Sequence, residues 1–179
     1  TSATRCSCSA GFAQNFTVDP RVITCVADNC TGQAGYVKLA DGTCVPTIDT
    51  ILRTTAETSL YYSLLVASGF NVASLGTNTT VMAPSNTAIQ QFAASQPGGL
   101  AALNGTDFGR TFVQVFILAG VNLITLFDGQ TFTGNGKTYV ILRVNNQITA
   151  NGVPVLASIR SVQGAVHVLS ALSPFATGC

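Results

Sequence analysis

The hydrophobic pattern of the chain changes its period once, and this change limits the possible folds more than any other feature. From Thr47 onward, apolar residues recur at steps of three and four, which is the spacing of one face of a helix. From Gly129 onward, short runs rich in β-branched residues are separated by turn signals. Helices followed by strands within one domain predict an α+β fold with an antiparallel sheet.

The first helices are predicted from their capping residues. Thr47 and Thr58 are candidate N-caps, because a threonine hydroxyl can accept a hydrogen bond from a free N–H group at the start of a helix. Ser68-Gly69 is a candidate stop. The segment therefore predicts two short helices, or one broken helix, with an inward face formed by Ile48, Ile51, Leu52, Leu60, Tyr61, Leu64 and Leu65.

A short strand and two further helices are expected next. Residues 79–83 are typical of a strand that ends at Pro84, and Ser85 is the candidate cap of the helix after it. A break at residues 97–99 precedes another helix, predicted over 107–117. The helix capped by Ser85 is expected to bury Ile89, Phe92 and Ala93.

The final part of the chain predicts strands joined by tight turns. Asn135-Gly136 and Asn151-Gly152 favour two-residue hairpins, because both residue types accept a positive φ. The predicted strands cover residues 138–144, 147–150, 153–159 and 165–172.

The cysteines are concentrated at the amino-terminal end, before a change in composition near Val45-Pro46. This segment has little periodicity and predicts loops with a short hairpin over residues 35–44. The cysteine spacings lack the paired Cys-x2-Cys pattern of zinc sites, so disulfides are expected. Five cysteines are an odd number, so one pairs with the sixth at the carboxyl end, or the leftovers pair between chains. The set is Cys6, Cys8, Cys25, Cys30, Cys44 and Cys179.

Low charge excludes one large class of function. Only 8% of residues are charged, and the net charge is +1, so there is no basic face of the kind that nucleic-acid binding requires. A hydrophobic fraction of 47% and a mean hydropathy of +0.42 exclude a disordered chain. The most apolar stretch, residues 112–127, contains polar residues and is shorter than the roughly 20 residues that span a bilayer, so it is expected in the core.

Four sequons agree with export through a secretory pathway. They lie at Asn15, Asn29, Asn78 and Asn104, and each is a candidate N-glycosylation site. The chain starts at Thr1 without a charged and apolar leader, as is expected of a mature form. Together with the disulfides, these features predict an extracellular protein.

The sequence gives little sign of catalytic chemistry. There is no Gly-x-Ser-x-Gly elbow, no phosphate-binding or dinucleotide-binding glycine pattern, and no metal-ligand spacing. The single histidine, His167, lies in an alternating strand and is expected to be structural, with a neutral ring bound to a backbone group. No enzymatic activity, cofactor or metal is therefore predicted; a latent hydrolase built on His167 is the lesser alternative.

Two motifs resemble the fasciclin domain family. Residues 80–92, Thr-Val-Met-Ala-Pro-Ser-Asn-Thr-Ala-Ile-Gln-Gln-Phe, are similar to its first motif, and residues 164–174, Gly-Ala-Val-His-Val-Leu-Ser-Ala-Leu-Ser-Pro, to its last. The resemblance implies an antiparallel β-sandwich or wedge with several packed helices. The expected division is a disulfide-rich segment over 1–45, a fasciclin domain over 46–176, and a tail over 177–179 with a cysteine bridged to the first segment.

The chain also departs from that family. Val115-Phe116 replaces the usual central Tyr-His pair, and Ser158-Ile159 replaces an Asp-Ile pair linked to integrin binding in some animal members, so integrin recognition by those routes is not expected. Met82 stands where phenylalanine is usual and Ser170 where aspartate is usual. The segment from Cys6 to Cys44 faintly resembles an EGF-like module.

The resemblance implies a role in cell adhesion or as a structural subunit of an extracellular matrix or surface. The expected partners are further copies of the chain, extracellular glycans or cell-surface proteins, and the near-zero net charge predicts self-assembly. The alternative is a carrier of an apolar small molecule such as a carotenoid. Its candidate lining is the phenylalanine-rich stretch formed by Phe108, Phe112, Phe116, Phe127 and Phe132.

Overall fold

A computed structural model describes residues 12–16, 23–27, 30, 34–134 and 136–172; for 12–16 and 23–27 it describes the backbone. The chain forms two compact units, Thr1–Pro46 and Thr47–Cys179. The domain boundaries expected from the sequence stay predictions, as does the bridge from Cys179 to the first unit.

The first unit contains two antiparallel hairpins. Strands β1 (Phe12–Phe16) and β2 (Ile23–Ala27) form one, and β3 (Tyr36–Lys38) and β4 (Cys44–Pro46) form the other, which confirms the predicted short hairpin. A disulfide joins Cys30 to Cys44, with their Cα atoms 5.5 Å apart. Cys6, Cys8 and Cys179 lie outside the described residues, as does the side chain of Cys25, so their pairing and the EGF-like resemblance stay predictions.

Four helices form one side of the second unit. They are α1 (Ile48–Thr54), α2 (Ser59–Ala67), α3 (Asn86–Ala94) and α4 (Asp107–Gln114), with single 3-10 turns at Ala56–Thr58, Val72–Ser74 and Gly99–Ala102.

Two of the predicted caps are confirmed, and one binds differently. Thr47 accepts a hydrogen bond from the Thr50 N–H, and Ser85 accepts one from the Ala88 N–H. Thr58 precedes α2 as expected, but its hydroxyl donates to the carbonyl of Leu52 at 3.0 Å and makes no cap bond. The Thr58 side chain therefore ties α2 back to α1.

Helix α4 is shorter than the sequence predicts. It ends at Gln114, and residues 117–119 form strand β6 (Ile117–Ala119). The main chain leaves the helix here because β6 pairs with a neighbouring strand, and the Phe116 carbonyl accepts a hydrogen bond from the Met82 N–H at 2.9 Å.

A seven-stranded sheet forms the rest of the second unit. Its strands are β5 (Thr79–Pro84), β6, β7 (Thr131–Gly134), β8 (Lys137–Val144), β9 (Gln147–Ala150), β10 (Val153–Arg160) and β11 (Gly164–Leu169), in the order β6-β5-β11-β10-β9-β8-β7. All neighbours are antiparallel except β5 and β11, which run parallel. The chain between these two strands contains α3, α4 and the other five strands of the sheet.

One of the two predicted Asn-Gly turns is confirmed, and the other stays a prediction because Asn135 lies outside the described residues. Asn151 and Gly152 have φ angles of +51° and +78°, which confirms the predicted turn between β9 and β10. Asn145 and Asn146 also have positive φ angles and join β8 to β9, a turn that the sequence analysis missed because it contains no glycine.

The two faces of the central strands bury separate cores. On one face, Val81, Ala83 and Val166 pack against the helices. On the other face, Met82 and Leu169 pack against side chains of the curled strands β8 to β10. The two edge strands of the sheet approach each other: a Cβ atom added to Gly134 of β7 would lie 2.7 Å from the Leu118 side chain of β6. The sheet therefore nearly closes on itself. This wedge with packed helices confirms the predicted α+β fold class.

Candidate functional site

The single histidine is buried within the sheet, on strand β11 beside Met82 of β5. His167 of β11 is fully buried, and both ring nitrogens have partners: Nδ1 lies 2.8 Å from Ser158 Oγ, and Nε2 lies 2.8 Å from the Leu123 carbonyl oxygen. A carbonyl can only accept, so Nε2 carries the proton and the Ser158 hydroxyl donates to Nδ1. The predicted structural role, a neutral ring bound to a backbone group, is confirmed.

Burial sets the charge state of this ring. Removal from water lowers the pKa of the His167 imidazole below its usual value, and the hydrogen bond to the Leu123 carbonyl offsets part of that effect. A neutral ring at physiological pH follows.

The distance between Ser158 Oγ and His167 Nδ1 would suit a catalytic serine and its general base in a hydrolase, but the surroundings of the two side chains differ from those of a hydrolase. Nε2 is oriented by a backbone carbonyl and not by a carboxylate. Neither Ser158 nor His167 lines any of the three grooves described below. The contact is suited to holding strands together.

A buried threonine supports the same loop from the neighbouring strand. Thr80 of β5 donates from Oγ1 to the Val121 carbonyl at 2.8 Å and accepts from the Leu123 N–H at 2.9 Å. Thr80 and His167 therefore anchor residues 121–123 against the sheet. The sequence offered no signal for this anchoring role of Thr80.

The phenylalanine-rich stretch does not line one cavity. Phe112 and Phe116 are buried among the helices, where Phe112 stacks on Phe92 with ring centres 5.1 Å apart. Phe132 stacks on Tyr139 in the other core, and Phe127 is 62% exposed. The structure thus divides these residues among two cores and the surface.

An apolar groove of about 420 Å³ lies along β6, an edge strand of the sheet. Its apolar walls include Val115 of the replaced Tyr-His position and Phe70 of the loop after α2. The lining residues are Phe70, Leu75, Thr111, Gln114, Val115, Ile117 and Ala119.

A more polar groove of about 470 Å³ lies at the start of α3. It includes Ser170, which stands where the family has aspartate, and Glu57. Asn86 also lines it, but its side chain already binds the Leu60 N–H and the Ala56 carbonyl, so it links two helices.

A third groove, of about 360 Å³, is bounded by α2 and the turn over residues 99–102. One of its walls is Asn104, a predicted glycosylation site. The full lining is Leu60, Ser63, Leu64, Leu100, Ala101 and Asn104.

The outer side of strand β8 carries an exposed row of apolar side chains. Val140, Leu142 and Val144 alternate with residues of the opposite side and are all exposed, Leu142 by 44%. The opposed positions on β7 and β9 are occupied by threonine or glutamine. We define the β8 outer face as the exposed or half-buried residues Thr131, Thr133, Thr138, Val140, Leu142, Val144, Gln147 and Pro154; none of these residues is charged. Thr149 lies on the same side of the sheet but is buried.

The sequence analysis missed this face. Residues 139–142 are a continuous apolar run, Tyr-Val-Ile-Leu, so the alternation that distinguishes an inner from an outer side was hidden.

The sequons are placed as follows. Asn78 and Asn104 have exposed side chains, Asn15 lies in β1, and Asn29 lies outside the described residues. Which of the four carries sugar stays a prediction.

Two features are absent from the part of the chain that the structure describes. Within it, no helix combines the length and apolar character needed to cross a membrane. The same residues contain no group of three His, Cys, Asp or Glu side chains arranged to hold a metal ion.

Comparison with known proteins gives one family. The family model of the fasciclin domain matches residues 56–172. This range includes helices α2, α3 and α4, the whole first motif, and the last motif as far as Leu172. A search of curated proteins found no match. Because the family match spans more than half of the chain and the fold agrees with it, the chain belongs to the fasciclin domain family.

Proposed function

We propose that this protein is a secreted, glycosylated subunit of an extracellular matrix or surface, or a cell-adhesion protein, that associates with copies of itself through the β8 outer face. Fasciclin domains are generally adhesion-type domains without enzymatic activity, and proteins that contain them are typically extracellular or bound to the cell surface. The Cys30–Cys44 disulfide supports an oxidising compartment.

The observation that carries the self-association is the exposed row Val140, Leu142 and Val144. The outer side of an antiparallel sheet normally carries polar residues, so an apolar row there indicates a surface that another molecule covers. The apolar row and its flanking threonines form a neutral surface, and two such surfaces can meet without burying charge.

The low charge of the whole chain supports the same proposal. With a net charge of +1, copies of the protein repel each other weakly. Extracellular glycans and cell-surface proteins are the other proposed partners, since neutral hydroxyl and amide groups flank the apolar row.

Sedimentation velocity at increasing protein concentration tests the proposal. The wild-type protein is expected to form larger species, and Leu142→Lys is expected to shift the distribution toward the monomer by placing a charge in the contact. Val66→Lys is the matched control, because Val66 is also apolar and 56% exposed but lies on α2. Association that survives Leu142→Lys, or is lost equally in Val66→Lys, would contradict the proposed face.

A second candidate function is the carriage of an apolar small molecule such as a carotenoid. The groove along β6, with Phe70, Leu75 and Val115 in its walls, supports this alternative better than the dispersed phenylalanines do. Visible absorbance recorded in the same sedimentation run distinguishes the two functions: a band that travels with native protein favours the carrier, and Val115→Asp should then remove it.

A further inference from the structure

The groove between α2 and residues 99–102 has an exposed apolar wall beside a sequon. Leu100 is 41% exposed, and it faces the same space as Leu60 and Leu64 of α2. Ser63 adds a hydroxyl, and none of the lining side chains is charged. A volume of about 360 Å³ is within the range of pockets that hold small ligands, and its neutral, largely apolar walls suit an uncharged one.

Asn104 is itself part of this wall. Its side chain is exposed, and its backbone N–H donates to the Ala101 carbonyl at 3.3 Å, which fixes it against the turn that carries Leu100. A group attached to Asn104 Nδ2 is therefore attached to a residue that lines the groove.

The remaining sequon residue restricts when such a group can be attached. In the folded protein, the Thr106 hydroxyl accepts from the Gly109 N–H at 2.9 Å and donates to the Ala102 carbonyl, so it is engaged in capping α4. We therefore expect attachment to precede the folding of this segment.

We propose that Asn104 carries an N-linked glycan whose first N-acetylglucosamine lies in this groove, with the apolar face of its ring against Leu100. The inference rests on the proposed function, because it requires passage through a secretory pathway. A pyranose ring has a face of C–H groups, and burying Leu100 beneath it removes apolar surface from water. The sugar hydroxyls remain in contact with solvent and with Ser63.

The attachment balances as an ordinary glycosyl transfer. The donor is an oligosaccharide linked to a lipid diphosphate. A bond forms between Asn104 Nδ2 and C1 of the first sugar, the bond from C1 to the diphosphate oxygen breaks, the lipid diphosphate leaves, and the amide loses one proton.

Asn78 provides an internal comparison. It is exposed, but its side-chain oxygen accepts a hydrogen bond from Asn122 Nδ2 at 3.4 Å, and it lines none of the three grooves. A glycan on Asn78 is not expected to contact Leu100.

The test is a double-mutant cycle on protein from a secretory host that adds high-mannose glycans. Peptide mass spectrometry first gives the occupancy of each sequon. Melting temperatures are then compared for the wild type, Leu100→Ala, Asn104→Gln and the double variant. A second cycle, with Asn78→Gln in place of Asn104→Gln, is the control. Leu100→Ala is expected to lower the melting temperature by about 2 to 4 °C when Asn104 is glycosylated, and by much less in the Asn104→Gln background.

A direct measurement keeps the proposal testable if Asn104→Gln fails to fold. Trimming with an endoglycosidase that leaves one N-acetylglucosamine should preserve the melting temperature, and NMR should show nuclear Overhauser contacts between that sugar and the Leu100 methyl groups. Absence of these contacts, or an equal effect of Leu100→Ala in both backgrounds, overturns the proposed seat. An empty Asn104 with other sequons occupied overturns the inference alone, whereas four empty sequons overturn the glycoprotein part of the proposed function as well.

Discussion

Ser158 and His167 are directly opposed on β10 and β11, and the Ser158 hydroxyl donates to His167 Nδ1 at 2.8 Å. The other ring nitrogen binds the Leu123 carbonyl, so the imidazole joins two strands and a loop. Ser158 is exposed, whereas His167 is fully buried. Protonation of the imidazole would remove the acceptor for the Ser158 hydroxyl, so this connection depends on the charge state of His167.

Acidification is expected to destabilise the protein through His167. Burial lowers its pKa in the folded state below the value of about 6.5 that it has when unfolded, so between the two pKa values the unfolded state binds more protons. The free energy of unfolding should therefore fall as the pH drops below about 6.5, by up to about 1.4 kcal/mol per pH unit. Denaturant unfolding between about pH 7 and 5, above the range where carboxylates titrate, measures this slope.

His167→Asn is the control for that slope, because asparagine does not titrate. The variant is expected to be less stable at all pH values but to lose the dependence between pH 7 and 5. An unchanged slope would show that other groups cause it.

Removal of the Ser158 hydroxyl is expected to cost about 1 to 3 kcal/mol, because it leaves a buried ring nitrogen without its donor. Ser158→Thr retains the hydroxyl on a residue that favours strands and should remain near the wild type. Chemical denaturation of Ser158→Ala and Ser158→Thr measures the difference, and equal losses would argue against the hydrogen bond as the cause.

Ser158→Asp should reverse the pH effect. A carboxylate beside Nδ1 favours the imidazolium, so the pKa of His167 in the folded variant is expected to rise above its unfolded value of about 6.5. Stability then is retained below pH 6.5 and decreases as the pH rises through the new pKa. NMR titration of the imidazole protons in both proteins measures the change, and a pKa that stays low in the aspartate variant would contradict it.

Gly109 is expected to tolerate no side chain, although it lies inside helix α4. A Cβ atom there would lie 1.8 Å from the Leu103 carbonyl oxygen, so Gly109→Ala should cost about 3 kcal/mol or more despite the better helix propensity of alanine. Gly76→Ala is the control, since no atom lies within 4 Å of its Cβ position. Melting temperatures of the two variants should differ clearly, with Gly76→Ala near the wild type.

Thr47 and Thr58 should respond differently to aspartate. Thr47 accepts a hydrogen bond at the start of α1, and a carboxylate can do the same, so Thr47→Asp should preserve stability. Thr58 is fully buried and donates to a carbonyl, which a carboxylate cannot do, so Thr58→Asp should cost at least about 3 kcal/mol. Comparable denaturation midpoints for the two variants would be inconsistent with these assigned roles.

Local chemistry in the sequence was enough to place most elements. Thr47 and Ser85 start helices because their hydroxyls accept a free N–H, and Asn151-Gly152 forms a hairpin because both residues adopt positive φ. The structural role of His167 also followed from its place in an alternating strand. These features depend on a few neighbouring residues, so a single sequence reveals them.

Contacts between distant residues decided the rest. Helix α4 ends early because Ile117 pairs with Val81, which lies in a predicted strand whose pairing partner the local sequence does not specify. The parallel pairing of β5 and β11, the leucines that form a groove beside Asn104, and the apolar row on β8 arise in the same way. The sequence by itself determined most of the helices, strands and turns, because these depend largely on local hydrogen bonding and backbone preference. The tertiary structure alone decided which faces are buried, paired or left exposed, because burial depends on what the rest of the chain brings to each face.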